Sequence, residues 1–128
     1  MDFTVETAGD PVFQYKLNTD NICDTPANVS MYLQRRGDQM TASYEHYRWW
    51  SAGTALATRQ ISVTIPLTPD AWSQVFGKNG AQVPAEFNAA LGDLEAIGVT
   101  FGGGCFKGHG VNISQGTAKF TMTRFEVK

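Results

Sequence analysis

This 128-residue chain has only two cysteines, little net charge and no long apolar run, and the last two features exclude classes of protein. Ten lysines and arginines stand against twelve aspartates and glutamates, giving a net charge of −2. Because a duplex-binding protein needs a basic face, we expect no nucleic-acid partner. No apolar segment is long enough for a membrane-spanning helix, so we expect no membrane partner. Asp2 and Glu6, with no apolar stretch behind them, do not resemble a signal peptide.

The two cysteines, Cys23 and Cys105, leave the redox setting open. An even number of cysteines permits one disulfide without requiring it, and two buried thiols are the alternative. A disulfide would imply an oxidising, extracellular compartment.

The usual signatures of catalytic and metal sites are also lacking. The glycines at 102–104, 108 and 110 are not followed by the Gly-Lys-Ser/Thr of a phosphate loop. The two histidines, His46 and His109, have no metal-ligand spacing. The carboxylates are scattered, although the two carboxyls of a glycosidase need only meet in space. The sequence therefore predicts no catalytic residue and no required cofactor.

Short alternating segments, separated by Gly, Pro, Asn and Asp, run along the whole chain and predict about eight strands. The predicted strands are residues 3–7, 13–17, 29–34, 40–51, 59–67, 99–101, 110–113 and 118–127. We expect one all-β domain over residues 1–128, a two-sheet antiparallel β-sandwich of the jelly-roll type. Residues 68–72 and 84–91 predict two short helical turns, with Trp72 in the core.

Residues 43–51 (SYEHYRWWS) hold four aromatic rings, and Trp49 and Trp50 are adjacent. Neighbouring side chains of a strand point to opposite faces, so one tryptophan should face outward. In one register the outer face carries Tyr44, His46, Arg48 and Trp50. In the other it carries Glu45, Tyr47 and Trp49, and Arg48 is buried.

Each register buries one charged side chain, which requires a partner. The first register is favoured, since its outer residues all stack or form hydrogen bonds. Tyr32 and Gln34 point outward from the neighbouring segment 29–34. An exposed ring flanked by such groups suits a sugar. The alternative is that these rings fill a core under a loop.

Residues 44–51 (YEHYRWWS), 65–72 (IPLTPDAW) and 99–111 (VTFGGGCFKGHGV) resemble carbohydrate-binding modules of family 81, which are appended to bacterial endoglucanases. The resemblance covers residues 25–127 best. It implies a β-sandwich with a flat glucan-binding face and no catalysis. It implies β-1,4-glucan ligands, namely cello-oligosaccharides, mixed-linkage β-glucan and xyloglucan. Cys23 and Cys105 would then be bonded in a secreted bacterial protein. The resemblance also implies that a structural calcium ion is possible, with Asp2, Glu6 and Glu126 as candidate oxygen ligands; solvated surface acids are the alternative interpretation.

This resemblance predicts a monomeric, non-catalytic module that brings an attached glycoside hydrolase to plant cell-wall polysaccharide. The predicted carbohydrate-binding residues are Tyr32, Gln34, Tyr44, His46, Arg48, Trp49 and Trp50, with Trp50 as the stacking platform and Trp49 as its substitute. Two other functions stay open: a small polysaccharide-degrading enzyme, and a protein-interaction or adhesion domain that uses the same aromatic patch.

Overall fold

The structure, a computed structural model, describes residues 1–15, 26–104 and 107–128. The strands are β1 (Asp2–Gln14), β2 (Asn28–Arg35), β3 (Arg48–Ser51), β4 (Thr54–Ala55), β5 (Gln60–Ser62), β6 (Trp72–Gln74), β7 (Leu94–Gly102) and β8 (Asn112–Arg124). One α-helix, α1, spans Pro84–Gly92, and two short 3-10 helices span Ala42–Tyr47 and Pro69–Ala71.

The strands form two antiparallel sheets, and strand makes up 48% of the structure. One sheet has three strands in the order β5-β1-β8, and the other has the order β4-β2-β3-β6 with β7 paired to β2. These features confirm the predicted all-β class with short helical turns and agree with an antiparallel β-sandwich. By their contacts, the residues divide into two compact units.

The first unit comprises residues 1–29, 53–64 and 101–128. Its main feature is the pairing of β1 with β8, which runs from Asp2↔Arg124 to Gln14↔Asn112. The register shifts between Gly9 and Val12, and Gly9 adopts a φ of +77°, which glycine tolerates best. Phe3, which is fully buried, stacks on Phe120 with ring centroids 4.7 Å apart. The β1–β8 pair is therefore a long antiparallel ribbon that is interrupted by a bulge and carries stacked aromatic rings.

The second unit comprises residues 30–52 and 65–100. Its core contains Leu33, Trp49, Trp72, Phe87 and Ala90, none more than 1% exposed. Burial of each large apolar side chain contributes about 1.5–3 kcal/mol. Trp72 also donates a 2.8 Å hydrogen bond from Nε1 to the Pro66 carbonyl, so the prediction that Trp72 belongs to the core is confirmed.

Helix α1 supplies Phe87 and Ala90 to this core. Pro84 stands in its first turn, where the missing N–H has no helical acceptor to lose. Glu86 in the same turn complements the positive end of the helix dipole. The predicted helical turns at residues 68–72 and 84–91 are both present, as a 3-10 helix and as α1.

The prediction of one strand over residues 40–51 is wrong, because only Arg48–Ser51 is extended. Met40 adopts a φ of +58°, and its N–H donates to Asp38 Oδ1 over 2.9 Å. The 3-10 segment that follows is kinked at Tyr44 (φ −106°, ψ 29°), and the rings of Tyr44 and Tyr47 meet with centroids 4.8 Å apart. Local side-chain bonds and aromatic packing therefore replace the strand.

Candidate functional site

Strands β2 and β3 pair so that Tyr32 lies opposite Trp50, Leu33 opposite Trp49, and Gln34 opposite Arg48. Directly opposite residues of an antiparallel pair share a face of the sheet. Trp49 therefore joins Leu33 in the core. Trp50 shares its face with Tyr32, and this division of the two tryptophans is the one that the favoured register predicts.

The prediction that Trp50 is an exposed platform is wrong, because only 7% of it is accessible. Its indole Nε1 donates to Thr100 Oγ1 over 3.1 Å. The Tyr32 ring lies 5.3 Å from the Trp50 ring, inclined at 46°. Alternation identifies the face of a side chain, but it does not reveal whether neighbouring strands cover that face.

Arg48 and Gln34 converge on a buried carboxylate. The side chain of Asp38 has no accessible surface, and its Oδ2 lies 3.1 Å from Arg48 Nε. Gln34 Nε2 donates to the same oxygen over 3.1 Å. Arg48 Nη2 also donates to the Thr41 carbonyl over 3.0 Å. The guanidinium, with 14% of its side chain exposed, is thus held in one orientation.

Tyr32 lies beside this ion pair and is partly buried. Burial, assisted by the negative charge of Asp38 and opposed by Arg48, raises the pKa of Tyr32 to about 12. Its phenol therefore stays protonated and able to donate a hydrogen bond at neutral pH. We call Tyr32, Gln34, Arg48 and Trp50 the Tyr32 face.

Three other predicted site residues have different surroundings. Trp49 is fully buried, and its Nε1 donates to the His46 carbonyl over 2.8 Å. His46 Nε2 lies 3.0 Å from Glu45 Oε1. Tyr44 packs on Tyr47. The structure thus brings together four of the predicted residues, those of the Tyr32 face, while Trp49, His46 and Tyr44 make other contacts.

Sequence reasoning missed Asp38 and Thr100, which hold Arg48 and Trp50 in place. Asp38 directly follows Gly37 in the sequence. The signal that could have found it was the requirement that a buried arginine have an anionic partner. The predicted disulfide partners, Cys23 and Cys105, lie outside the described residues.

A tight turn in the same unit exposes another ring. Phe76, 62% exposed, precedes Gly77, whose φ is +86°. Around the turn, Gln74 N–H donates to the Lys78 carbonyl over 2.9 Å, and Gly80 N–H donates to the Trp72 carbonyl over 3.0 Å. Phe76 is therefore a fixed, solvent-facing aromatic.

The candidate calcium ligands lie in ion pairs of the first unit. Asp2 Oδ2 is 3.0 Å and Glu126 Oε1 is 3.8 Å from Arg124 Nε, and Glu6 is 3.6 Å from Lys119. Within residues 1–15, 26–104 and 107–128, no group of three His, Cys, Asp or Glu side chains could hold a metal ion. None of the described helices has the length and apolar content needed to cross a membrane.

Comparison with known proteins yields no relative: no protein-family model matches the chain, no curated protein matches it, and no solved structure matches it. The resemblance to carbohydrate-binding family 81 therefore stays a prediction.

Proposed function

We propose that this chain is a non-catalytic carbohydrate-binding domain whose ligand, a β-1,4-linked glucan, docks on the Tyr32 face. The observation that carries the proposal is the Tyr32 ring, partly accessible and lying 5.3 Å from the buried Trp50 ring, beside the side chains of Gln34 and Arg48. In this arrangement Trp50 supports the platform and Tyr32 forms it.

The chemistry of the face suits a sugar in two ways. An aromatic ring offers a rigid apolar surface to the C–H face of a pyranose. Polar groups beside it can bind hydroxyls, and none of the described hydrogen bonds uses the Tyr32 hydroxyl or Gln34 Oε1. Arg48, fixed by Asp38 and Thr41, has further N–H donors in its planar fork. Because these groups are held in place before binding, less entropy is lost when the ligand docks.

Such a domain acts by localisation. Secreted as part of a bacterial glycoside hydrolase, it raises the effective concentration of the attached catalytic domain at plant cell-wall polysaccharide. The same role suits cello-oligosaccharides, mixed-linkage β-glucan and xyloglucan, which all contain stretches of β-1,4-linked glucose.

Calorimetric titration with cellohexaose, mixed-linkage β-glucan and xyloglucan tests the proposal. Tyr32→Ala should weaken binding by about 2 kcal/mol or more, roughly thirty-fold, because the stacking surface is lost. Phe76→Ala is the matched control, since it removes an exposed aromatic ring that lies outside the Tyr32 face. It should bind like the parent.

Thermal melts identify a Tyr32→Ala protein that fails to fold. In that case Tyr32→Phe, which keeps the ring, should bind with a loss of about 1 kcal/mol, as for one hydrogen bond. Equal binding by parent and Tyr32→Ala would place the site elsewhere, and no binding to any of the glucans would overturn the ligand class. Release of reducing sugar during incubation would instead favour the small polysaccharide-degrading enzyme.

A further inference from the structure

The first unit contains an apolar cavity of about 350 Å³, whose lining includes no residue of the Tyr32 face. Its described lining consists of Val5, Phe13, Leu56, Phe101, Gly110, Val111, Ile113, Ala118 and Phe120. Among these residues there is no polar side chain. The volume lies within the range of pockets that hold small molecules.

The aromatic part of the lining is fixed by its own packing. Phe120 stacks on the fully buried Phe3 at 4.7 Å and meets Phe101 edge-to-face at 5.0 Å and 90°. Gly110, with a φ of +90°, donates its N–H to the Phe101 carbonyl over 2.8 Å. These contacts fix the positions of Phe101, Gly110 and Phe120 relative to one another in the lining.

The cavity is also reachable from solvent. Ile113 is 39% exposed and lies opposite Phe13 across the β1–β8 pair. An apolar space that the side chains do not fill forfeits dispersion contacts. The cost of such a space grows with its volume. Occupation by an apolar molecule would restore these contacts.

We propose that this cavity binds an uncharged apolar small molecule, either a fused aromatic ring system or a medium-length acyl chain. A charged or strongly polar ligand is disfavoured because the described side chains of the lining offer it no hydrogen bond. The cavity is large enough for a ligand bigger than benzene. A dry apolar cavity of about 150 Å³ already holds benzene, and this cavity has more than twice that volume. The proposal does not depend on the carbohydrate-binding function.

The probe N-phenyl-1-naphthylamine, which fluoresces in apolar surroundings, tests the proposal on the full chain. We expect saturable one-to-one binding. Competition with naphthalene and with decan-1-ol separates the two ligand sources, since the better competitor identifies the ring system or the acyl chain. Absence of saturable binding would overturn the proposal.

Ala118→Phe places a ring into the cavity and should weaken probe binding by roughly tenfold or more. Thr117→Phe adds the same ring at the exposed neighbouring position and should bind within about twofold of the parent. If Ala118→Phe does not fold, Val111→Phe replaces it in the test. Val111 lines the cavity from outside the strands, so this variant should weaken probe binding to the same extent. Equal binding by parent and cavity-filling variant, or an equal loss in Thr117→Phe, contradicts the site.

Methyl chemical shifts give a second measurement. Addition of naphthalene should move the methyl resonances of Leu56, Val111 and Ile113, which line the cavity. The methyl resonances of Leu33, in the core of the other unit, should stay in place. Shifts at Leu33 alone would refute the assignment.

Discussion

Trp49 and Trp50 are neighbours on β3 that face opposite sides of the sheet, and both are buried. Trp49 packs edge-to-face on Phe87 at 5.0 Å, whereas Trp50 packs on Tyr32 and is hydrogen-bonded to Thr100. Each indole N–H thus has an acceptor, as a buried tryptophan requires. Both rings contribute to stability, and Tyr32 is the more accessible aromatic ring of the Tyr32 face.

Trp49→Ala should lower the free energy of unfolding by about 3–5 kcal/mol, as expected when a buried tryptophan is removed. Trp50→Ala should lower it by about 3 kcal/mol, at the lower end of the same range, since a small part of its ring is accessible. Urea denaturation measures both. Phe76→Ala, which removes an exposed ring, should stay within about 0.5 kcal/mol of the parent. A parent-like Trp50→Ala would mean that Trp50 is not packed as described.

Alternation along the sequence was enough to divide the two tryptophans between the faces of β3. It could not show the cover over Trp50, because that depends on β7, whose Thr100 is distant in sequence. It also put Arg48, Tyr32 and Gln34 on the outer faces of their segments, while the anion that holds Arg48, Asp38, was not identified. Contacts between distant residues are what single-residue patterns leave out.

At the scale of secondary structure, the approach of the turn after β6 to helix α1 depends on a glycine. A Cβ on Gly80 would lie 2.7 Å from the Pro69 carbonyl oxygen and 2.8 Å from Phe87 Cγ. Phe87 is fully buried in the core, so neither neighbour can retreat without disturbing the packing. Gly80 therefore lets the turn lie directly against the helix.

Gly80→Ala should lower the free energy of unfolding by about 1–3 kcal/mol, the usual cost of overpacking a core. Gly92→Ala is the matched control, because a Cβ there meets no atom within 4 Å. As Gly92 is the last residue of α1, alanine should be neutral or stabilising by up to about 1 kcal/mol. Thermal denaturation of the two variants checks this. Similar melting temperatures would mean that the close approach is absent.

Helix α1 and most strands were predictable because their periodicity is local. The 3-10 helix at Ala42–Tyr47 was not, since aromatic residues suit strands as well. Its formation depends on the backbone turn at Asp38 and Met40 and on the contact between Tyr44 and Tyr47. Predicted strand 3–7 lies within β1, and so do residues 13 and 14 of predicted strand 13–17, because a bulge continues the strand where glycine suggests a break. Residues 16 and 17 lie outside the described part of the chain.

For the whole molecule, the density of alternating segments was sufficient to predict an all-β chain with two sheets. Alternation needs only that one face of each strand be buried. The function does not follow from the fold, because one β-sandwich architecture supports many binding partners. The glucan ligand thus rests on the Tyr32 face and on a sequence resemblance.

The free energy of unfolding should fall at alkaline pH because the Tyr32 phenol ionises there. Its pKa is about 12 in the folded state, against an ordinary value of 10.0 for tyrosine, so the folded protein holds this proton more tightly. Stability is therefore complete below about pH 10 and falls as the pH rises toward 12. Tyr32→Phe should flatten this part of the curve. Urea denaturation of parent and variant across this range checks it, and identical slopes would contradict the buried phenol.

The turn that exposes Phe76 also controls the rate of a slow chemical change, the deamidation of Asn79. Asn79 is followed by Gly80, and in a flexible chain the Gly80 nitrogen can attack the Asn79 side-chain carbonyl carbon, release ammonia and leave a succinimide. In the fold that nitrogen donates to the Trp72 carbonyl, and Asn79 Oδ1 accepts from the Gln82 N–H over 3.1 Å. Hydrogen bonds thus hold both the Gly80 nitrogen and the Asn79 side chain in place. Deamidation at Asn79 should be slow in the native protein and fast in urea. Mass spectrometry of stored samples measures its rate. Its rate then records how often this turn opens.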